Sequence, residues 1–476
     1  MAKGKLPSVR IAMIPVLALL LLMSLAILVF KQDPHIPLLL ASVVTAVIAR
    51  KQGYSWQDLE VGLLKGIEVG LKAVLILMVI GILIAVWIAS GVGPYLIYLG
   101  LELLHPSVFL LATCLICAVV SLSTGSSWTT AGTVGVALMG VGAGLDLPLA
   151  MVAGAVVSGA YFGDKMSPLS DSTNLAPAVN GVDLFVHIRH MFGTTFPAFG
   201  IALLLYALTG LFLSPGPTEA GNVESIQVAL ASTYHLSPLL LLAPLTVVVL
   251  SLRRFSALPV LAASAGVGAV LAVALQGVGP GEIVGIAHYG FVSETGHGEV
   301  DALLSGGGLD AMMFAVSLIL CALAFGGIME RSRMMESLAE AILSRVRNRG
   351  DLTGATVLTC VGLNVTVPDQ YLAIILPGRM YQSAYQRMKL HPKNLSRTVE
   401  DAGTMTSPLI PWNTCGATMM VVLGVSPFVY LPYAFFNLLT PIVAILWSYL
   451  GVFQAELESH SPASSRESCL DSEGSP

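Results

Sequence analysis

Gly163–Asn174 reads G-D-K-M-S-P-L-S-D-S-T-N. It sets two carboxylates (Asp164, Asp171), four hydroxyls, one carboxamide and one amine (Lys165) between apolar runs. A cation leaving water needs replacement oxygens, and hard cations take them from carboxylates, hydroxyls, amides and freed backbone carbonyls. Asp164, Ser167, Asp171, Ser172, Thr173 and Asn174 are such a set, and Na+ is expected at Asp164, Asp171 and Asn174. Pro168 removes a backbone donor, which predicts uncommitted carbonyls near Asp164. Desolvation disfavours a charged carboxylate, so near neutral pH a buried aspartate can hold either a proton or a metal ion. A site that takes Na+ or H+, but not both, exchanges them if it opens to each side of a membrane in turn. Asp171→Asn is then expected to abolish exchange. The competing reading is a proline-kinked helix whose charges snorkel to the interface. Lys165 either neutralises a vacant carboxylate or snorkels in that way.

A second break, Gly403–Asn413, reads G-T-M-T-S-P-L-I-P-W-N and repeats the G-x-x-x-S-P-L spacing about half a chain later. Polar, broken segments at matching places in two halves point to a transporter's binding site. Asn413 and Thr414 are its counterpart ligands. Asp369, after Pro368, is placed at a hairpin tip as a further ion or proton site. Ser127 and Thr129, in the cluster Ser126–Thr130, are expected to face the first break, unless they serve helix packing. With Lys165 and Asp401 they form the candidate substrate or gating group; Asp401 is equally read as a helix-terminus residue. Arg397 and Glu400 stand beside it.

The elements that carry these residues are membrane helices. The chain has 476 residues, 55% hydrophobic and 11% charged, against about 25% charged in soluble domains. Apolar runs near 20 residues make it an all-α polytopic membrane protein with about ten spanning helices. Ile11–Phe30 is read as a retained helix, because it is long for a signal peptide and lacks a small-residue cleavage site. Cys114 and Cys117 are read as packing residues, and Gly154, Gly159 and Gly163 as a small face for close helix contact. Asp183–Met191, with His187 and His190, is read as an interfacial turn of helix. The loops 91–105, 214–235 and 277–310 carry no Lys or Arg. The Ser/Glu-rich tail is expected to be disordered.

Basic residues favour the cytoplasm, which puts both termini there. Segments 106–146 and 353–378 are then each flanked by one side of the membrane, as two re-entrant hairpins; full crossings would force a basic cluster outside. The order of spans, hairpin and broken helix occurs twice in opposite orientation. This defines an inverted-repeat secondary transporter: a first repeat over 1–213 (hairpin 106–146, broken helix 147–182), an extracytoplasmic linker at 214–235, a second repeat over 236–451 (hairpin 353–378, broken helix 398–424) and a cytoplasmic tail at 452–476. No phosphate loop, nucleotide motif or nucleophile triad is present, so an enzyme is not expected, nor a cofactor or a nucleic-acid partner. A channel fits duplicated broken helices less well than alternating access does.

Gly163–Ala178 with Asp183–Met191, Pro368–Tyr381 and Asn394–Ala417 closely resemble the NhaC family of sodium/proton antiporters, and the likeness extends from the third span to the last. The resemblance implies an inner-membrane bacterial transporter exchanging cytoplasmic Na+ for external H+, or a relative that exchanges malate for lactate with Na+ and H+ coupling. In the wider ion-transporter superfamily, Ser172–Thr173–Asn174 and Asn413–Thr414 match the polar elements around the substrate. That likeness also implies a transport domain gliding on a scaffold, with a homodimer left open.

Overall fold

The computed structural model describes residues 6–212, 219–295 and 298–457. In chain order the helices are α1 (Val9–Ser24, continuing as a π turn, Leu25–Val29), α2 (His35–Lys51), α3 (Trp56–Ala89), α4 (Val92–Leu103) and α5 (Pro106–Thr124). The turn Ser127–Thr130 (α6) and a π turn, Ala131–Gly135, lead into α7 (Val136–Gly144). Next come α8 (Leu149–Met166), α9 (Asp171–Asn180), α10 (Leu184–Phe212) and α11 (Glu219–Thr233). The second half has α12 (Leu242–Leu252), α13 (Ala257–Gln276), α14 (Pro280–Tyr289), α15 (Gly298–Leu303), α16 (Leu309–Arg331) and α17 (Met334–Leu343). It ends with α18 (Arg349–Thr366), α19 (Gln370–Met380), α20 (Gln382–Arg387), α21 (Pro392–Val399), α22 (Thr414–Leu423), α23 (Pro427–Tyr430) and α24 (Phe435–Tyr449). Among the described residues the only β pairings are two isolated bridges.

Among the described residues, six helices are long and apolar enough to cross a membrane, and up to eight if each of two bent pairs is one span. Large apolar side chains remain outside the packed interior: Leu204, Leu211 and Phe212 of α10, with Leu17 and Leu21 of α1, are all exposed. Such a surface belongs in lipid, since proteins that face water rarely expose so many large apolar side chains together.

Close packing rests on small residues. On α3, a Cβ added at Gly66 would lie 2.8 Å from Gly327 Cα of α16, so the two backbones meet directly. On α8, a Cβ at Gly159 would lie 2.7 Å from Cys117 Cβ of α5, and one at Gly163 would overlap Ser121 and Leu122. Where helices have no hydrophobic drive to associate, such faces let them approach. Cys114 and Cys117 are buried and free, on the same α5 surface. The start of α3 is fixed by a capping box: Ser55 Oγ accepts from Asp58 N, and Asp58 accepts from Ser55 N.

Several expectations are corrected. Asp183–Met191 is helical, forming from Leu184 the first turns of α10, but His187 is fully buried rather than at a surface. The Lys/Arg-free stretches 91–105, 214–235 and 277–310 all contain helices: α4 in the first, α11 in the second, and α14 and α15 in the third. Of the tail, residues 454–457 are pinned: Arg349 pairs with Glu456 at 2.8 Å, and Ala455 O accepts from His391 N at 2.9 Å. Residues 458–476 lie outside the described residues.

Candidate functional site

Both hairpins turn at polar residues, and both tips meet the broken helices. α5 ends at Gly125 in the left-handed conformation (φ 69°), which glycine adopts without steric cost. Ser126 Oγ then accepts from Thr129 N to start α6. The first break, Ser167–Ser170, separates α8 from α9. In the second hairpin Asp369 caps α19, accepting from Leu372 N at 3.0 Å. Asn413 caps α22, accepting from Cys415 N at 3.1 Å.

These four helix starts surround a cavity of about 620 Å³. Asp164, Asp171, Ser127, Asn174, Asp369 and Thr414 line it from one side, and Lys72 and Phe255 from the other. Asp164 is 8% exposed; it accepts from Ser127 Oγ at 2.7 Å and from Ser170 Oγ at 2.6 Å. Asp369 is buried, with one oxygen used as the cap. Asp171 is exposed and faces Lys72 Nζ at 2.5 Å, across the seam between α9 and α3. Asn174 donates to Pro168 O and Ser170 O, which leaves its carbonyl oxygen for the cavity.

Other expected ligands lie beside the cavity rather than on it. Ser167 Oγ donates to Leu122 O at 2.8 Å and ties the break to α5. Thr173 Oγ1 donates to Asp164 O (2.7 Å) and Lys165 O (2.9 Å), so the carbonyls that Pro168 was expected to leave uncommitted are engaged. Thr129 Oγ1 is buried with no hydrogen-bond partner. Thr414 N donates to Pro368 O, joining the second break to the second tip.

Behind the first break lies a buried ionic cluster. Lys165 does not snorkel: it is wholly buried, and its ammonium meets Asp401 at 2.6 Å. Asp401 also accepts from Thr194 Oγ1 of α10 at 3.0 Å and faces Arg397 at 3.7 Å. Asp401 is therefore an interior residue and not a helix terminus at the surface. Glu400 and Asp401 open a π turn, Glu400–Thr404, a local geometry frequent at functional sites.

Sequence reasoning passed over Ser170, Gln370 and Asn364. Asn364 donates to Gly403 O and Thr406 and accepts from Asn413; Gln370 Oε1 accepts from Ser407 and Cys415. Their signal was present, since each is a polar residue inside one of the breaks or hairpin tips.

Broken helices that meet at one polar cavity inside an apolar helical body define a polytopic membrane transporter. The model of the Na+/H+ antiporter family matches residues 159–452, and the chain belongs to that family. It is 44% identical to the Na(+)/H(+) antiporter NhaC of Alkalihalophilus pseudofirmus, over 89% of this chain and 92% of that one. It is 39% identical to the arginine/ornithine antiporter ArcD of Halobacterium salinarum, over 94% and 93%. It is 36% identical to the malate-2H(+)/Na(+)-lactate antiporter of Bacillus subtilis, over 92% and 94%.

Proposed function

We propose that this protein exchanges cytoplasmic Na+ for external H+ across a bacterial inner membrane, with Asp164 as the central shared ligand. One observation carries the reading. Among the described residues the buried charged side chains are four acids (Asp164, Asp369, Glu400, Asp401) and two bases (Lys165, Arg397), all at or behind this site. Isolated charge is costly in a low-dielectric interior, and intramembrane ionisable residues mark ion or proton paths. The excess of acid is relieved by a cation or a proton, which is the alternation that antiport needs. Asp171, Asp369, Asn174 and Thr414 are further candidate ligands, and Thr129 offers an unpaired buried hydroxyl beside them.

The same reading divides the chain into inverted repeats at 1–213 and 236–451, joined by 214–235, with both termini cytoplasmic. The packing supports it. α2 lies on α16 as α13 lies on α3, and α10 lies on α5 as α24 lies on α18. Alternating access then follows from rocking one set of elements against the other. A homodimer is compatible with this arrangement.

A second reading, Na+- and H+-coupled exchange of an organic anion, rests on the cavity. At about 620 Å³ it exceeds the needs of one ion, and the starts of α9, α19 and α22 adjoin it with the end of the helix dipole that favours anions. The relatives named for arginine/ornithine and for malate/lactate, at 39% and 36% identity, stand beside one named for Na+/H+ exchange at 38% and below another at 44%. Purified protein in proteoliposomes with an internal pH dye decides. Proton flux driven by Na+ alone, unchanged by malate or lactate, supports the cation antiporter. Flux that appears only with an organic acid overturns it.

A further inference from the structure

A second cavity, of about 930 Å³, lies between the start of α1, α17 and the helices of the second hairpin, α18 and α19. Val9, Met13 and Val16 line it from α1, at the i, i+4, i+7 spacing of one helix face. Leu338 of α17, Leu358 of α18 and Leu376 of α19 complete an apolar wall. Gly362 of α18 borders the same space, and a Cβ added there would meet nothing within 4 Å. This is open volume beside a helix, unlike the tight seams at Gly159 and Gly163.

The depth of the cavity follows from α1. That helix is long and apolar enough to span, and its opening turns form the cavity wall. Val9, Met13 and Leu358 are all exposed. The cavity therefore sits in one leaflet, on the side that the topology proposed above makes cytoplasmic, and its exposed apolar lining has acyl chains for neighbours.

The charged side chains around it are unevenly paired. Arg333 donates to Glu336 at 2.6 and 2.9 Å, and Glu340 follows on the same face of α17. Glu330 also borders a separate cavity along α3, which Lys65 lines. Arg345, shortly after α17, and Arg379, in the last turn of α19, line the apolar cavity and are exposed. Among the described residues neither of these two side chains has a hydrogen bond or an ion pair. A guanidinium presents a fork of donors that matches a phosphate, and basic pockets between helices at a cytoplasmic surface take acidic head groups.

We propose that this cavity binds an anionic phospholipid, with its chains along α1 and α18 and its phosphate held by Arg345 and Arg379. The lipid then lies between α1 and α17 on one side and the hairpin that carries Asp369 on the other.

The test adds phosphatidylglycerol, phosphatidylcholine or glycerol phosphate to delipidated protein in detergent, and reads bound mass by native mass spectrometry and stability by thermal unfolding. The expected result is that phosphatidylglycerol binds about tenfold or more tightly than phosphatidylcholine and raises the melting temperature, while glycerol phosphate, which has no chains, does neither. The double variant Arg345→Gln/Arg379→Gln should lower affinity for phosphatidylglycerol by about tenfold or more. Gly362→Trp, which fills the open space, should lower the binding of both lipids. Equal affinity for the two lipids overturns the proposal, and so does phosphatidylglycerol binding that is the same in the parent and the arginine double variant. Stabilisation by glycerol phosphate alone would make this a site for soluble phosphates, and a lipid-free dimer would assign the cavity to a second copy of the chain; either result overturns it too. Neither readout requires transport, so the outcome is independent of which ion is exchanged.

Discussion

At the scale of single residues, the two aspartates of the first break have unequal standing. Asp164 is buried and holds two serine hydroxyls; Asp171 is exposed and paired with Lys72 across the seam between α9 and α3. Exposed pairs contribute little. Asp164→Asn should therefore abolish Na+-driven proton flux, whereas Asp171→Asn should lower it by no more than about threefold, against the sequence expectation that Asp171 is indispensable. Reversed ranking of the two variants in the pH-dye assay would refute this. The buried pair Lys165–Asp401 behaves differently. Removing one partner leaves an uncompensated charge, so Lys165→Met or Asp401→Asn should each destabilise by about 3–5 kcal/mol. The double variant should recover part of that loss, which thermal unfolding in detergent will measure.

At the scale of elements, the breaks and tips were legible because proline and clustered polar residues are costly inside an apolar run, and a membrane tolerates them where protein covers them or they line a cavity. Burial was less legible. Segments 183–191 and 394–401 carry histidines and arginines, and local sequence does not distinguish a polar face covered by protein from one at the cytoplasmic interface. His187 meets Ser396 at 2.7 Å across these two segments, a contact between residues far apart in the chain. The π turn at Glu400–Thr404 had no sequence signal either, since its composition is that of an ordinary helix turn. The small face of α8 was read as packing, and there the geometry gives a sharp expectation. Gly163→Val would force α8 off α5, costing about 1–3 kcal/mol or more, and carry Asp164 away from Ser127. Gly200→Ala, with nothing within 4 Å of the new Cβ, is the control and should be neutral or slightly stabilising. Equal melting temperatures for the two would refute the packing argument.

At the scale of the whole molecule, the cavity follows a seam. Val69, Lys72 and Ile76 of α3, with Phe255 before α13, form one wall; the first break and both hairpin tips form the other. α3 and α16 lie against each other along glycine-lined faces, which suits a fixed frame. The broken helices share the buried cluster that joins α8, α10 and the π turn after α21, which suits a body that moves as one. If the site changes sides by motion along this seam, a link across it must stop transport without disturbing the site. Phe255→Cys and Leu175→Cys place one thiol on each wall, and neither residue is a proposed ion ligand. A short bismaleimide bridging the pair should abolish Na+-driven proton flux, while each single variant treated alike keeps most of its own. Bridged protein would still bind Na+ at Asp164, seen as Na+-dependent thermal stabilisation. Undiminished flux in fully bridged protein would mean that the two walls do not move relative to each other during exchange, and access would then have to change within the hairpins alone.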